Sequence, residues 1–218
     1  MNKIIAIDGP AGSGKGTLAK ALSKELNLVN IDTGATYRCV ALKVLRSNIS
    51  LDDHEKIVEI SNNIDIDLKE DGTVFLDKED VTKEIRSKEV TKIVSPISSI
   101  VKLRENMVEI QRKIAQGKDV VMEGRDITTV VFPDARYKFY LDASIESRAK
   151  RRYEENLKKG ITTPLEQIEK EIAHRDYLDM NKGYGSLKKA EDAIELDTSD
   201  MSIGEVVNFI YNKALELM

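Results

Sequence analysis

KIIAIDGPAGSGKGT, residues 3–17, is the stretch that decides the fold, because an apolar run leads there into a glycine-rich turn. Residues 3–8 are apolar and partly β-branched, and a Gly-Pro pair follows them, which predicts a short buried strand. Residues 15–27 place Leu18 and Leu22 on one helical stripe, which predicts a helix directly after the turn. The chain therefore begins with a strand, a glycine-rich turn and a helix in immediate succession.

The glycine-rich turn has the composition of a loop that binds phosphate. Its glycines let backbone N–H groups approach phosphate oxygens, and the start of the following helix adds partial positive charge. Lys15 supplies a cation for the β- and γ-phosphates of a nucleotide. The predicted ATP-binding residues are Gly9, Pro10, Ala11, Gly12, Ser13, Gly14, Lys15, Gly16 and Thr17.

The residue after Lys15 departs from the strict phosphate-loop pattern, which has Ser or Thr at that position. Here Gly16 follows the lysine, and the hydroxyl comes one residue later at Thr17. This form, GxxGxGKGT, resembles the loop of nucleoside-monophosphate kinases. The alternative is a plain glycine-rich turn with a surface lysine, but the flanking strand and helix favour the phosphate loop.

The alternation of strand and helix continues along the chain and predicts an α/β fold. We expect a three-layer phosphate-loop fold with a central five-stranded parallel sheet. Further strands are predicted at residues 28–32, 119–122, 137–141 and 193–196, with helices at 35–46, after Pro96, after Pro164 and from Ser202.

Two stretches interrupt this alternation. Alternating apolar and polar residues around Asp71-Gly72 predict a small antiparallel insert at about residues 62–95, in the region that would bind a monophosphate. A highly charged stretch predicts a short mobile lid at about residues 148–163. We expect residues 1–218 to form a single kinase domain that carries these two appendages.

Composition excludes several classes of protein. The 218 residues are 41% hydrophobic and 33% charged with a net charge of −4, which is typical of a globular protein and too apolar for a disordered one. No run of about 18 apolar residues is present, so no membrane span is expected. With one cysteine, Cys39, and two unpaired histidines, neither a disulfide nor a cysteine-based zinc site is predicted. We expect a cytoplasmic monomer that binds neither nucleic acid nor a membrane.

Two later strand ends carry residues suited to anions. In the segment 32–38, DTGATYR, hydroxyls, backbone N–H groups and Arg38 are suited to hold a second phosphate. At the next strand end, Glu123 is expected to orient magnesium waters, Arg125 to neutralise a transferring phosphoryl group, and Asp126 to read a base. Helix capping is the alternative role for Asp126.

The segment GRDITTVVFPDA, residues 124–135, is similar to the GRDIGTVVFPDA segment of bacterial cytidylate kinases. The resemblance covers nearly the whole chain and implies phosphorylation of CMP, and by extension dCMP, by ATP with Mg²⁺. Further family motifs occur in the family's order at residues 80–82, 85–86, 94–95, 111–112, 175–179, 190–193 and 197–199.

The resemblance also implies an acceptor-binding set. Matching positions are Thr33, Arg38 and Arg125 for the CMP phosphate, Ser95, Arg104 and Asp126 for cytosine, Arg175 and Asp179 for the ribose, and Lys182 nearby. The chemistry agrees, because the 4-amino group of cytosine needs an acceptor such as Asp126. Its O2 and N3 need donors such as Arg104 and Ser95.

Catalysis is expected to come from positioning and charge neutralisation, without a general base, because the attacking phosphate is already ionised. Lys15, Arg125 and the lid residue Arg151 are the predicted catalytic residues. Arg148 and Arg152 are further lid candidates, and an exposed basic helix face is the alternative for all three lid arginines.

Thr17 is expected to bind Mg²⁺, with Glu123 acting through water.

Four positions depart from the family's usual residues: Glu123 replaces Asp, Thr128 replaces Gly, Lys182 replaces Arg, and Gly185-Ser186-Leu187 replaces Ser-Pro-Leu. Lys182 lacks the bidentate fork of an arginine. Thr128 would need a different backbone angle if the family's glycine has a positive φ.

Three other functions compete with this interpretation. A kinase for AMP or for several pyrimidine nucleotides differs only in its acceptor. A GTPase-like switch would need a hydroxyl directly after Lys15, a D-x-x-G loop and an N-K-x-D motif, and residues 181–184, NKGY, lack the final Asp. A non-catalytic ATP-binding module would not need two anion sites. The prediction requires the loops at 9–17 and 32–38 to face one crevice.

Overall fold

The computed structural model describes residues 2–158 and 160–217, without the side chain of Leu217; Lys159, in the predicted lid, lies outside the described residues. None of the described helices is long and apolar enough to cross a membrane. The strands are β1 (Ile4–Asp8), β2 (Val29–Asp32), β3 (Ile66–Leu68), β4 (Val74–Leu76), β5 (Glu79–Asp80), β6 (Val120–Gly124), β7 (Tyr137–Asp142) and β8 (Ile194–Asp197). The α-helices are α1 (Lys15–Leu26), α2 (Thr33–Arg46), α3 (His54–Asn62), α4 (Lys88–Ile97), α5 (Val101–Ala115), α6 (Ile145–Lys158), α7 (Leu165–Asn181) and α8 (Ile203–Leu217).

The central sheet has five strands in the order β2-β6-β1-β7-β8, and every neighbouring pair is parallel. The predicted five-stranded parallel sheet is therefore confirmed. In the registers, Asp8 lies opposite Gly124 and Asp32 lies opposite Glu123. The carboxyl ends of β1, β2 and β6 consequently form one edge of the sheet, from which the predicted site segments leave.

Two apolar layers cover the faces of the sheet. Alternate side chains of β1 point to opposite faces, because successive residues of a strand do so. Ala6 packs into a cluster with residues of α2, α4 and α5, whereas Ile5 and Ile7 pack with Leu18 and Ile210 of α1 and α8. This arrangement is the predicted three-layer α/β fold.

The antiparallel insert is present, with more elements than predicted. Strands β3, β4 and β5 form a three-stranded antiparallel sheet, in which Ile66 pairs with Leu76. Gly72 has a φ of 90° in the predicted turn, a conformation that favours glycine. The two-residue strand β5 is too short to give a sequence pattern. Helix α4 follows, and Pro96, expected to precede a helix, lies in its last turn.

The segment after β6 forms one turn of π-helix at Ile127–Val131, attached to the end of β1. The fully buried carboxylate of Asp8 accepts hydrogen bonds from the Ile127 N–H at 2.9 Å, the Thr128 N–H at 2.7 Å and the Thr128 Oγ1 at 2.6 Å. Thr128 has no positive φ, so replacing the family's usual glycine causes no backbone strain there. Burial raises the pKa of Asp8 to about 6, although these hydrogen bonds oppose the rise.

This shift predicts a pH-dependent stability. Because the pKa of Asp8 rises from 3.8 in the unfolded chain to about 6 in the fold, its contribution to stability is present below pH 3.8 and is lost as the pH rises through 6. Asp8→Asn cannot titrate. Between pH 4 and pH 7 the wild type should lose about 2 kcal/mol of unfolding free energy relative to this variant, measured by urea denaturation. A pH-independent difference would contradict the prediction.

Candidate active site

The phosphate loop connects β1 to α1 and curls around its own lysine. The Lys15 ammonium donates to the Pro10 carbonyl at 2.7 Å and to the Ser13 Oγ at 3.2 Å. A Cβ at Gly9 would lie 2.1 Å from the Leu141 carbonyl oxygen, so only glycine fits where the loop leaves the sheet. Lys15 thus lies inside the ring of backbone that the sequence assigns to phosphate.

A buried ion pair holds this loop from outside. Arg148 of α6 donates to the Ala11 carbonyl at 2.9 Å and to Asp176 Oδ2 at 2.5 Å, and the Ala11 N–H donates to Asp176 Oδ1 at 3.2 Å. Arg148 is 4% exposed. An exposed basic helix face is therefore wrong for this residue, which fixes both backbone groups of Ala11.

The other two lid arginines lie apart from the phosphate loop's interior. Arg151 donates to the carbonyl and, at 3.3 Å, to the hydroxyl of Thr198, just beyond β8. Arg152 is exposed, and its guanidinium lies 3.5 Å from Glu155. Neither guanidinium hydrogen-bonds to another predicted site residue among the contacts described.

A steric constraint explains why glycine follows Lys15. A Cβ at Gly16 would lie 3.0 Å from Glu123 Oε1, so a Ser or Thr side chain would crowd this carboxylate. Burial lowers the pKa of Lys15, and the nearby Arg125 lowers it further. Burial also raises the pKa of Glu123, and Asp32 adds to the rise. The two groups partly offset each other's shift, because the Glu123 charge raises the pKa of Lys15 and the Lys15 charge lowers the pKa of Glu123.

The same residues fit a magnesium ion that enters with a nucleotide. The described residues contain no group of three or more His, Cys, Asp or Glu side chains able to hold a metal by themselves. Mg²⁺ commonly uses one or two carboxylates together with phosphates and waters. Glu123 offers such a carboxylate, and the exposed Thr17 offers a hydroxyl one turn into α1.

The second predicted anion site is built differently from the expectation. Helix α2 starts at Thr33, earlier than predicted, and the Asp32 carboxylate caps it by accepting from the Ala35 N–H at 3.2 Å. The Thr33 hydroxyl donates to the Glu123 carbonyl at 2.7 Å, and the Thr36 hydroxyl donates to the Thr33 carbonyl at 2.7 Å. Hydrogen bonds within the protein therefore already occupy several polar groups of this turn. Arg38 is the cation that the turn still offers to a phosphate.

Arginines converge next to this turn, and not all of them are hydrogen-bonded to a carboxylate. Arg38 donates only to neutral groups in the described contacts, the Thr91 hydroxyl at 2.9 Å and the Ile85 carbonyl at 3.2 Å. The buried Arg175 Nε has no hydrogen-bond partner within the described chain. Burial and the neighbouring Arg125 lower the pKa of Arg175 to about 10. Clustered cations that depress each other's protonation mark a site for a multiply charged anion.

Asp179 is the carboxylate that holds part of this cluster together. Its Oδ2 accepts from Arg125 Nε at 2.8 Å and its Oδ1 accepts from Lys182 at 2.9 Å. Burial alone would raise the pKa of Asp179, but Arg125 and Lys182 hold it well below its usual range. Lys182 therefore provides charge to this carboxylate at the position where the family usually has arginine.

The predicted base-reading residues form a buried pair. Arg104 donates to Asp126 Oδ2 at 2.5 Å, and these residues are 2% and 4% exposed. Asp126 makes no side-chain capping bond to the π-turn that follows it, so helix capping is not its role. Arg104 lies over the Tyr37 ring, 5.3 Å from its centre. Ser95, half-buried on α4, has its carbonyl bonded to the Ser98 hydroxyl at 3.0 Å.

A tight turn covers this pair. Gly185 is buried with a φ of 66°, and a Cβ there would lie 2.4 Å from Asp126 Oδ2 and 2.5 Å from Arg104 Nη2. The buried Arg104 Nε finds no hydrogen-bond partner within residues 2–158 and 160–217. The backbone of the turn thus covers the pair without satisfying the Arg104 Nε.

Sequence reasoning missed four residues that shape this region. Asp8 looked like the end of a strand, and Tyr37 looked like part of a helix's apolar face. Asp176 stood in a quoted R-D-x-x-D motif without an assigned role, and Gly185 appeared only as a departure from a family turn. The one usable signal was the spacing of Asp176 from Arg175 and Asp179.

Comparisons with known proteins agree with this geometry. The cytidylate kinase family profile matches residues 5–216. A cytidylate kinase of Caldanaerobacter subterraneus subsp. tengcongensis is 54% identical over 208 residues, which cover 95% of this chain and 92% of that protein. One of Clostridioides difficile is 47% identical over 212 residues, covering 97% and 98%. A Sinorhizobium meliloti gluconokinase structure has a TM-score of 0.51 at 12% identity, covering 99% and 93%, and shares the fold alone. The chain therefore belongs to the cytidylate kinase family.

Proposed function

We propose that this protein transfers the γ-phosphoryl group of ATP to CMP, and also to dCMP, giving ADP and the cytidine diphosphate. The observation that carries the proposal is a juxtaposition at one sheet edge. The Lys15 loop, the Arg38–Arg125–Arg175 cluster and the Arg104–Asp126 pair follow β1, β2 and β6 or pack beside them. The phosphates of two nucleotides and the base of the acceptor can thus be held at one edge of the sheet.

Lys15 and the loop amides would hold the donor's β- and γ-phosphates. In the reaction an oxygen of the CMP phosphate forms a bond to the γ-phosphorus, while the bond from that phosphorus to the β–γ bridging oxygen breaks. The bridging oxygen leaves with ADP, and an in-line arrangement needs no general base because the attacking oxygen is already ionised. Lys15 neutralises charge that grows on the leaving side.

Arg125 would neutralise the group in transit. It leaves the end of β6, between the phosphate loop and the α2 turn, and its proximity to Lys15 is seen in the lowered pKa of that lysine. Arg38 and Arg175 would hold the acceptor phosphate, which relieves their mutual repulsion. The chemical contribution of these arginines is therefore electrostatic.

Thr17 and Glu123 are the residues that would hold Mg²⁺ with the donor, Glu123 through water. The ion supplies additional positive charge to the phosphate oxygens. Arg151 stays a proposed catalytic residue. It donates to the Thr198 carbonyl here, so α6 would have to carry it away from Thr198 before it could act.

A lid at about residues 148–163, which takes in most of α6 and the segment before α7, would shield the transfer from water. Helices α6 and α7 share a small separate apolar cluster of Ala149, Ile168 and Ile172 with Tyr153 against it. Arg148 ties the start of α6 to the phosphate loop, so movement would be confined to the part of the lid beyond it. The single-domain division, the cytoplasmic location and the monomeric state stay predictions.

An acceptor panel tests the function. ADP formation from ATP and Mg²⁺ is measured with CMP, dCMP, UMP or AMP, and without acceptor. The proposal expects the highest kcat/KM with CMP and little ADP without acceptor. Preference for AMP would indicate the rival monophosphate kinase, and ATP binding without acceptor-dependent ADP would indicate a non-catalytic module.

Lys15→Met should lower kcat at least about 100-fold, because one electrostatic donor to the transferring group is lost. Lys20→Met is the matched control, since Lys20 is an exposed lysine on the same helix, and its kcat should stay within about twofold of wild type. Steady-state kinetics measure kcat for both variants, and circular dichroism checks that both are folded. Equal kcat values for the two variants would refute the assignment.

Asp126→Asn should change base preference. An asparagine amide can donate to the O4 of uracil, whereas the aspartate accepts from the 4-amino group of cytosine. The ratio of kcat/KM for CMP to that for UMP should fall about tenfold or more, with KM for ATP unchanged. Asp192→Asn serves as the control, because this exposed carboxylate pairs with Lys138 instead. An unchanged ratio would exclude Asp126 as a base reader.

A further inference from the structure

The carboxylate of Asp8 joins two parts of the site that no single element connects. Asp8 is the last residue of β1 and directly precedes the phosphate loop. Its two oxygens accept three hydrogen bonds from Ile127 and Thr128, 119 and 120 residues further along the chain. These donors directly follow Asp126. The loop for the donor nucleotide and the residue proposed to read the acceptor base are thus one side chain apart.

The geometry of the π-turn shows what these hydrogen bonds fix. The Asp126 carbonyl accepts from the Val130 N–H at 2.8 Å and the Val131 N–H at 3.1 Å, so the turn is anchored at its start. Asp8 satisfies the first two N–H groups of the turn, which have no partner inside it. The backbone on the C-terminal side of the Asp126 Cα is therefore held, and this restrains the direction of the Asp126 side chain toward Arg104.

The Thr128 hydroxyl adds a bond that glycine cannot make. Its 2.6 Å contact to Asp8 Oδ2 accompanies the bond from its own N–H to the same oxygen. The neighbouring Thr129 hydroxyl is also buried and has no hydrogen-bond partner in the part of the chain that is described. The hydroxyls of two adjacent threonines in one turn thus differ, because the Thr128 hydroxyl bonds Asp8 and the Thr129 hydroxyl does not.

We propose that Asp8 and Thr128 are positioning residues that align the base reader Asp126 with the phosphate loop. This inference rests on the proposed function, because it assumes that Asp126 contacts the base of the acceptor. Neither residue touches a nucleotide in this scheme. They act through Asp126, so weakening their contact should change acceptor use more than donor use.

Thr128→Val tests the proposal, because valine keeps the shape of threonine and removes the hydroxyl. We expect kcat/KM for CMP to fall about tenfold, as for a lost hydrogen bond to a charged group, and the preference for CMP over UMP to narrow. KM for ATP should stay within about twofold. Thr128→Ser should restore the wild-type values, since it restores the hydroxyl.

Thr129→Val is the matched control and should leave both kinetic constants unchanged. Assays are run well below the unfolding temperature of each variant, so that loss of folded protein does not mimic loss of affinity. Should Thr128→Val fold poorly, calorimetric titration of CMP into Thr128→Ala and Thr128→Ser gives the same comparison. CMP affinity should then be lower in the alanine variant only.

Equal CMP kinetics for Thr128→Val and Thr129→Val would overturn the inference while leaving the proposed function intact. A parallel rise of the KM values for ATP and CMP would overturn it as well, because general loosening would then explain the defect. A wild-type protein that phosphorylates no cytidine nucleotide would instead refute the proposed function, and the inference with it.

Discussion

The geometry of the site depends on a cluster of four cations, one buried and three partly buried, at one edge of a parallel sheet. Arg38, Arg125, Arg175 and Lys15 lie near one another, and burial strengthens their repulsion because the local dielectric constant is low. Asp179 neutralises part of this charge. Glu123 and Asp32 also act on these cations, but Arg38 donates only to neutral groups in the described contacts, and a polyphosphate would supply it with a counter-charge.

The hydrogen bonds around these cations also set the geometry of the site. Asp176 and Arg148 grip the two backbone groups of Ala11, so the phosphate loop cannot drift from α6 and α7. Asp179 links Arg125, just beyond β6, to Lys182, just beyond α7. Such pairs contribute little net stability when their desolvation is counted. Their main effect is to hold cationic groups where substrate phosphates would arrive.

Much of the fold could be predicted because its signals are local. Short windows of sequence contain the apolar runs of the five parallel strands and the phosphate loop. The start of α8 is also signalled locally, by a capping box in which Glu205 accepts from the Ser202 N–H at 2.8 Å. Strand β5 has two residues and offers no period. The helix predicted after Pro96 is α5, whereas α4, which contains Pro96 in its last turn, was not predicted.

The contacts of the site could not be predicted in the same way. The residues that would bind phosphate were proposed from motifs and family resemblance, but the partners of those residues come from distant segments. Arg148 reaches Ala11 across 137 positions, and no pattern within either segment encodes that bond. The sequence therefore indicated which groups carry charge, and the topology decides which of them neutralise one another.

The turn at Gly185 has a consequence for how tightly an acceptor can be held. Because its backbone lies against the Arg104–Asp126 pair, a pyrimidine read by this pair, as proposed, would have to displace the turn first. The apparent affinity would then be the intrinsic affinity multiplied by the fraction of molecules in which the turn is displaced. Such an arrangement would favour ligands that offer a hydrogen bond to the unpaired Arg104 Nε.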